Sequence, residues 1–435
     1  MTSLTLDRAF SEAMPTHWRC LKLKYVASVR LSNVDKKSVE GERPIRLCNY
    51  MDVYNNDSIT AKMPFMEATA TESQIERFGL KAGDVLITKD SEAWDDIAVP
   101  ALVPADLDGV LCGYHLAQVR PKPDVILGRF LALAFSAEGI ADQFQIAANG
   151  ITRFGIGMDE ISGAFFPVPP LDEQQAIADY LDRKTTIIDS LIVKKQKMID
   201  LLLEKRQALI SESVFNGLDP TAPMKDSGIS WLSEIPTHWE VRRAKFLFTQ
   251  SNLLVREDDA IMTAFRDGQV TLRSNRRSQG YTFAVLEQGY QGVRSGQLVI
   301  HSMDAFAGAI GVSDSDGKCI PEYVVCDPVG SKCSVLYYAL LLREMARRKF
   351  IEVSCLAVRE RAPRFRFSSF SEMYLPLPPK CEQDEIVRLI EFESNSLVAM
   401  RRLLTKQNEK LTEYRQTLIS AAVTGKIKVP TGVTT

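Results

Sequence analysis

The sequence predicts an α+β protein in which two globular parts are held apart by two long helices that form an antiparallel coiled coil. The whole chain is predicted to be a tandem repeat with pseudo-two-fold symmetry. Three observations support this fold. Short motifs occur twice in the same order, each copy ends in a segment with a seven-residue apolar repeat, and each globular pattern mixes strand-like, turn and helical signals.

Four pairs of similar segments mark the internal repeat. Their common order and nearly constant spacing predict a tandem duplication of a unit of about 210 residues. The pairs are PTHW at 15–18 and 236–239, LKAGDVLIT at 80–88 and VRSGQLVIH at 293–301, helical patterns at 130–144 and 337–351, and FPVPPLDEQQAI at 166–177 and LPLPPKCEQDEI at 375–386.

Each globular part contains a turn glycine followed by an apolar run. Gly83 precedes DVLIT, and Gly296 precedes QLVIH. Apolar runs of this length next to a turn residue are typical of buried strands. Because a helical pattern follows in each copy, both globular parts are predicted to be α+β.

The Pro-Pro motif is predicted to separate each globular part from a long helix. Adjacent prolines exclude the chain from a helix interior. Asp172 has the chemistry of an N-cap, and Gln175 three residues later could complete a capping box. The second copy has Cys381 at the cap position. Gly217 and Gly425 are expected to end the two helices.

The two long segments carry a large apolar residue, leucine or isoleucine, at nearly every seventh position. This spacing favours a coiled-coil seam over a helix lying on a sheet. Secondary contacts are expected three residues further along. The predicted seam residues are Leu181, Ile188, Leu202, Leu209, Ile390, Leu397, Leu404, Leu411 and Leu418, with Lys195 as an interruption and Leu191, Met198, Met400 and Tyr414 as secondary contacts.

The two helices are expected to pair with each other, although the pattern leaves pairing with another chain open. Each helix of about 44 residues is about 65 Å long. The roughly 20 residues that connect the first helix to the second globular part would barely span that distance. An antiparallel pair needs no such return, so antiparallel pairing is predicted.

Composition argues against several classes of protein. No apolar run approaches the roughly 18 residues of a membrane span, and the N-terminus lacks a signal-peptide pattern. The eight cysteines form no C-x-x-C pair, which predicts reduced thiols in a cytoplasmic protein. No phosphate loop, dinucleotide turn or metal-ligand spacing occurs, so we expect no metal and no cofactor.

The repeated PTHW and Pro-x-Pro-Pro motifs and the ends of the long helices resemble those of the specificity (S) subunit of type I restriction–modification systems. The resemblance covers residues from about 15 to 425. It implies a non-catalytic subunit that lends sequence specificity to a DNA methyltransferase complex. The residues that carry it are IPTHW at 235–239, the two Pro-x-Pro-Pro junctions, EKRQALIS at 204–211 and EYRQTLIS at 413–420.

The resemblance implies that each globular part recognises one half of a split, asymmetric sequence in double-stranded DNA. The helices would set the gap between the halves and dock methyltransferase (M) subunits, which would bind S-adenosylmethionine. A restriction (R) subunit is a further partner whose presence the sequence leaves open. The implied domains are a first target-recognition domain at 1–170, a first spacer helix at 171–217, a linker and second target-recognition domain at 218–379, a second spacer helix at 380–425 and a tail at 426–435.

Arginine-rich segments are the candidate DNA contacts, because arginine is the commonest reader of guanine. A solvated charged surface is the alternative interpretation. The alternation in RFRF at 364–367 predicts a strand with phenylalanines in the core and arginines outward. The candidates are Arg273, Arg276, Arg277, Arg359, Arg361, Arg364 and Arg366 in the second part and Lys89, Asn149, Thr152 and Arg153 in the first.

Positive charge is concentrated in the second half of the chain. Residues 1–170 carry 17 Lys and Arg against 22 Asp and Glu, whereas residues 236–379 carry 19 against 15. The acidic first part fits DNA binding poorly. Two other functions therefore stay open: a two-headed coiled-coil scaffold that joins protein partners without DNA specificity, and an enzyme with its site in one globular part.

Overall fold

The chain forms two compact units, and each long helix contributes residues to both. The computed structural model describes residues 14–276, 289–354 and 364–430. Unit 1 comprises residues 1–196 and 405–435, and unit 2 comprises residues 197–404. The boundaries between the units therefore fall within the long helices. In the described part of the chain, no helix is long and apolar enough to cross a membrane.

Unit 1 is an α+β structure built from short strands and short helices. Its strands are β1 (Arg19–Lys22), β2 (Ala27–Leu31), β3 (Arg43–Cys48), β4 (Met66–Ala70), β5 (Gly79–Leu80), β6 (Val85–Thr88), β7 (Asp90–Ser91), β8 (Pro100–Leu102), β9 (Leu107–Cys112), β10 (Leu116–Pro121), β11 (Asn149–Gly150), β12 (Phe154–Gly155) and β13 (Phe165–Val168). Its short helices are α1 (Leu23–Val26), α2 (Tyr50–Tyr54), α3 (Glu72–Phe78), α4 (Gly128–Phe135), α5 (Glu138–Ala147) and α6 (Met158–Gly163).

The central sheet of unit 1 has the strand order β2-β10-β6-β8 and is antiparallel throughout. The predicted buried strand is confirmed as β6, whose four residues are all buried. A second sheet has the order β4-β3-β9-β5, with β3 and β9 parallel. Strand β1 pairs with β13, which brings the start of the globular part next to its end.

Unit 2 repeats this plan with different connecting segments. Its strands are β14 (Met224–Ile229), β15 (Leu232–Pro236), β16 (Glu240–Arg243), β17 (Phe248–Gln250), β18 (Met262–Ala264), β19 (Val270–Leu272), β20 (Gln291–Val293), β21 (Leu298–His301), β22 (Ile310–Val312), β23 (Gly317–Cys319), β24 (Tyr323–Pro328) and β25 (Tyr374–Leu377). The long helices are α7 (Leu171–Asn216) and α11 (Lys380–Val423), and the short helices of unit 2 are α8 (Val335–Arg347), α9 (Phe350–Ser354) and α10 (Phe367–Glu372).

The strand order of unit 2 confirms the tandem repeat. The order β17-β24-β21-β22 reproduces β2-β10-β6-β8, and the pair β16–β25 reproduces β1–β13. The mixed sheet around β3 and β9 has no counterpart among the described strands of unit 2, where the hairpin β18–β19 and the pair β20–β23 are found instead. The scaffold is therefore duplicated, whereas the segments inserted into it differ.

The long helices run antiparallel inside each unit, as predicted. In unit 1, Lys195 of α7 donates a hydrogen bond to Gln407 of α11 (2.6 Å), and Asp189 pairs with Arg415 (3.0 Å). Contacts thus move forward along α11 as they move backward along α7. In unit 2, the end of α7 shares a hydrophobic core with the start of α11, for example through Val214 and Ile386.

The predicted seam residues lie along the helix faces that turn inward. Leu181, Ile188 and Leu418 are buried and belong to the core of unit 1. The positions Ile390, Leu397 and Leu404 are also buried, whereas Leu202, Leu209 and Leu411 are half-buried.

The predicted secondary contacts are wrong, because Leu191, Met198, Met400 and Tyr414 are all exposed. The second row of inward positions lies four residues after the seam residues instead of three, except at Arg401, which is exposed. Since a helix turns through about 100° per residue, these alternatives lie on opposite flanks of one stripe. The flank that is buried, four residues after the seam positions, is largely polar in this chain. The apolar residues lie on the opposite flank, so the sequence pattern predicted the wrong one. The buried or half-buried residues of the polar flank include Ile192, Ile199, Arg206, Ser394, Asn408 and Arg415.

The predicted N-cap at Asp172 is also wrong. Helix α7 begins at Leu171, and Gln174 N–H already donates to Pro170 O (3.0 Å). Asp172 therefore lies in the first turn, and Gln175 hydrogen-bonds to Asp179 instead of closing a capping box. Proline is pre-organised for a helix start, which lets the second proline of the motif serve as the boundary. Gly217 and Gly425 follow the helices with positive φ, as expected.

Replacing Leu181 with alanine is expected to lower the free energy of unfolding by about 2–5 kcal/mol, because it leaves a cavity in the core of unit 1. Leu191→Ala is the matched control in the same helix, and its exposed side chain should cost less than about 0.5 kcal/mol. Urea unfolding followed by circular dichroism measures both. Equal losses would contradict the assignment of the buried flank.

Candidate nucleic-acid interface

One carboxylate joins the two repeated motifs in each unit. In unit 1, Trp18 Nε1 donates to Glu173 Oε2 (2.9 Å), and His17 Nε2 lies 2.7 Å from Glu173 Oε1. Glu173 stands in the first turn of α7, where the helix dipole favours negative charge. The PTHW motif and the Pro-Pro motif therefore recur together because each supplies half of one contact.

Unit 2 contains the same junction. Trp239 Nε1 donates to Glu382 Oε2 (3.0 Å), and His238 Nε2 lies 2.8 Å from the same oxygen. Both tryptophans are buried, and both histidines contact the local carboxylate. We call these two contact sets the junctions.

The glutamine after each junction carboxylate is fully buried and fully hydrogen-bonded. Gln174 accepts from Leu127 N–H (2.8 Å) and donates to the carbonyls of Val125 and Pro169 (3.0 and 2.8 Å). It thereby satisfies backbone groups at the start of α4 and at the proline motif. Gln383 makes the equivalent set of bonds in unit 2, with Ser334 N–H and the carbonyls of Lys332 and Pro378.

A glycine closes each junction. Gly425 has φ +74°, and a Cβ there would lie 2.3 Å from Pro15 and 3.2 Å from Trp18. Gly217 has φ +80°, and a Cβ would lie 2.7 Å from Glu382 and 3.2 Å from Trp239. A side chain would therefore clash with Pro15 or Glu382 and crowd the neighbouring tryptophan ring. Each unit is closed by the end of the long helix that begins in the other unit.

The first-unit candidates gather around a carboxylate that sequence reasoning missed. Asp90 accepts a hydrogen bond from Arg153 (2.8 Å) and lies 2.8 Å from His115 Nδ1. Strand β7 pairs with β12, and β12 with β11, so the sheet brings the segment that carries Asn149, Thr152 and Arg153 next to Asp90. Both Asn149 and Thr152 are exposed, and Asn149 hydrogen-bonds to Ala147 O.

Aromatic rings extend this surface. Lys89 Nζ lies 4.4 Å from the ring centroid of Tyr114, and Tyr114 packs edge-on against His115. Tyr50 stacks on Tyr54 at 5.5 Å. Tyr50 also lies close enough to Ser91 and Asp90 to interact with both. We call Lys89, Asp90, Tyr50, Tyr54, Tyr114, His115 and Arg153 the Asp90 surface.

Electrostatics tunes several of these groups. Burial lowers the pKa of Lys89 from its ordinary value, while the carboxylate of Asp90 opposes that shift. The hydrogen bond from the Tyr54 hydroxyl to Asp96 (2.6 Å) raises the pKa of Tyr54. A partly desolvated ammonium and a pre-aimed guanidinium are well suited to bind an acceptor such as phosphate or a base edge.

The second-unit arginines are individually tethered. Arg276 pairs with Asp267 (2.7 Å), and its guanidinium lies 4.2 Å from the ring centroid of Phe265. Arg273 Nε lies 3.5 Å from Thr263 Oγ1. Arg364 pairs with Glu322 (2.8 Å), and Arg366 is exposed at the cap of α10. The candidates Arg277, Arg359 and Arg361 lie outside the described residues.

The predicted RFRF strand is wrong, although its inward and outward faces are right. Residues 364–366 form no regular element, and α10 begins at Phe367. Phe365 is fully buried against Phe370, whereas Arg364 and Arg366 are exposed. Alternation over four residues is too short to distinguish a strand from an extended segment that enters a helix.

Known proteins share the fold and parts of the sequence. A structure titled HsdS subunit from Thermoanaerobacter tengcongensis is 17% identical, with a TM-score of 0.56, and the match covers 95% of this chain and 98% of that one. A chain from a structure concerned with complex assembly and conformational transition of the type I R-M system is 16% identical, with a TM-score of 0.68, and the match covers 95% and 99%. At these identities, the likeness establishes the fold alone.

Sequence comparison finds partial matches to type I specificity proteins. The type I restriction enzyme MjaX specificity subunit of Methanocaldococcus jannaschii is 23% identical over 229 residues, so the chain spans about half (52%) of that relative's length. The family model for the type I restriction modification DNA specificity domain matches residues 34–200. Residues 34–200 therefore resemble this DNA specificity domain. They include the Asp90 surface and Glu173 of the first junction, whereas His17 and Trp18 lie outside the matched range.

Replacing Glu173 with alanine should lower the free energy of unfolding by about 1–3 kcal/mol, because Trp18 and His17 both lose their acceptor. Asp172→Ala is the matched control. It removes a carboxylate from the same helix turn, and it should lower the free energy of unfolding by less than about 1 kcal/mol. Thermal unfolding followed by tryptophan fluorescence measures both changes. A loss no larger than the control's would contradict the role of the junction.

Proposed function

We propose that this chain reads a bipartite, asymmetric sequence in double-stranded DNA for a type I restriction–modification complex. Each unit would read one half-site, and the chain itself would catalyse no reaction. The observation that carries this proposal is the repeated strand order β2-β10-β6-β8 and β17-β24-β21-β22 with unlike inserted segments. A duplicated scaffold with two different surfaces suits a target whose two halves differ.

In unit 1, the Asp90 surface is the proposed reading surface. Arg153 is held at one end by Asp90 and is half-exposed at the other, so its guanidinium can reach a base edge. The hydroxyl groups of Tyr54 and Tyr114 project from exposed side chains and add hydrogen-bonding groups. Specific contacts of this kind would offset the acidic character of residues 1–170, where general attraction to phosphate is weak.

In unit 2, Arg273, Arg276 and Arg366 are the proposed contacts. A guanidinium that is already oriented loses little side-chain entropy when it binds a guanine. Arg276 is oriented by both Asp267 and the Phe265 ring. Arg366 has no side-chain partner among the described residues, so its charge is available to a base or a phosphate.

The exposed apolar side chains of the long helices are the proposed docking surface for methyltransferase subunits. They lie outside the buried seam, and exposed apolar patches commonly mark protein interfaces. A restriction subunit would be a further partner of the same complex. In unit 1 these side chains are Ile187, Leu191, Val193 and Tyr414, and in unit 2 they are Met198, Leu201, Leu203, Phe392, Val398, Met400 and Leu403.

Replacing both Arg273 and Arg276 with alanine should change recognition in one half-site and leave the other unchanged. Each lost bidentate contact is expected to cost about 1–3 kcal/mol of discrimination at its base pair. Selection of bound sequences from a random duplex library by the reconstituted methyltransferase complex measures this. Arg242→Ala, which removes an exposed arginine near the second junction, is the control and should select the parental sequence.

A uniform loss of affinity for all sequences would identify Arg273 and Arg276 as phosphate contacts. If the parental complex selected no sequence and its affinity for duplex DNA were independent of salt, the proposal would fail. The alternative of a scaffold that joins protein partners without DNA specificity would then be favoured.

Inserting four residues after Leu202 should shift the seam register of α7 and abolish assembly or change the recognised gap. Inserting seven residues at matched places in both long helices keeps the register and is the control. It should lengthen the helices by about 10 Å and increase the gap. The same selection experiment reports the gap. An unchanged gap in both variants would contradict the role of the helices as spacers.

A further inference from the structure

A cavity in unit 2 lies outside the proposed DNA contacts and carries an excess of positive charge. Its volume is about 340 Å³. The walls come from α7, α8, the segment after α8, the turn of the hairpin β18–β19 and the segment 306–308. Its cationic lining residues are Arg206, Arg266, Arg343, Arg347 and Lys349, and its acidic ones are Glu344 and Glu352.

The buried carboxylate of this cavity already accepts hydrogen bonds from several side chains. Glu344 has a side chain that is 1% exposed, and it accepts from Gln207, Arg347 and Arg348. Arg266 pairs with Asp304 (3.1 Å). Glu352 is then the lining carboxylate that these bonds do not engage, and it faces the positive charges of Arg206, Arg343 and Lys349.

Arg343 forms no ion pair among the described residues, although the carboxylates of Asp267 and Glu344 act on its charge from a greater distance. Within the described residues, its buried Nε has no hydrogen-bond partner. Its guanidinium lies against the backbone of Gly268, where a Cβ would approach it to 2.3 Å. Burial and the nearby Arg206 lower the pKa of Arg343 from its ordinary value. The hydrogen bond from Arg206 goes to the neutral hydroxyl of Ser394 (3.1 Å), which adds no compensating charge.

A cavity lined by guanidinium groups with few compensating carboxylates favours an oxyanion as ligand, because buried charge without a partner is costly. Guanidinium groups match phosphate geometry by donating two parallel hydrogen bonds. The volume exceeds that of a free phosphate and falls at the lower end of small-molecule sites. Ile210, Phe306 and Leu340 supply an apolar wall for the rest of such a ligand.

We propose that this cavity binds the phosphate group of a small organic phosphate of about mononucleotide size, with Arg343 and Arg206 as the principal donors. The ligand would connect α7 to the turn of the β18–β19 hairpin through groups that now lack an anion. The donors of this site are distinct from the candidate DNA contacts.

The test is thermal unfolding of the full-length chain with inorganic phosphate, AMP or chloride at equal ionic strength. At about 10 mM, phosphate and AMP should raise the midpoint by at least about 2 °C relative to chloride. Arg343→Met should abolish this rise while leaving the midpoint in chloride unchanged or higher, because the variant removes an unpaired buried charge. Arg206→Gln should also reduce the rise and serves if Arg343→Met does not fold.

Arg242→Gln is the control for the loss of one arginine and should keep the full rise. No rise in the parental protein, or an equal rise in Arg343→Met and Arg206→Gln, would overturn the proposal. A short DNA duplex is a further arm of the same experiment. If only the duplex raised the midpoint, and did so only with Arg343 present, the site would take a backbone phosphodiester and the small-molecule assignment would be wrong.

Discussion

The carboxylate in the first turn of each long helix is the contact on which the repeated architecture depends. Glu173 and Glu382 each accept from a tryptophan and lie against a histidine more than 140 residues earlier in the chain. The contact closes β1 onto β13 and β16 onto β25, so each globular part begins and ends at its own long helix. The neighbouring Gln174 and Gln383 accept hydrogen bonds from the backbone at the starts of α4 and α8, and so connect each long helix to a short helix of its own unit.

A fixed scaffold leaves the inserted segments free to differ. Unit 1 uses its insertion to build a mixed sheet and the Asp90 surface, whereas unit 2 uses a hairpin that carries arginines at its base and tip. The junctions limit how far these differences can spread, because a side chain at Gly217 would clash with Glu382 and one at Gly425 would clash with Pro15. Divergent surfaces on one repeated frame suit the reading of two unlike half-sites.

Sequence alone predicts what depends on repetition and periodicity, including the duplication, the buried strand β6 and the seam residues such as Leu181. It fails where neighbours distant in sequence decide the outcome. The polar flank of the helix pair was missed because Arg206 and Arg415 are buried by partners that no heptad pattern reveals. Lys89 and Arg153 of the Asp90 surface were predicted as candidates, but its other members were missed because they come from segments scattered between Tyr50 and Arg153 that the sheet brings together.

The central claim is that one chain carries two scaffold copies that read two different DNA half-sites. Methylome sequencing of a host that expresses the chain with its methyltransferase measures this most directly. The account predicts one new modified motif with two unlike halves separated by a constant number of unspecified bases. A continuous motif, a motif with identical halves, or no new motif would contradict it.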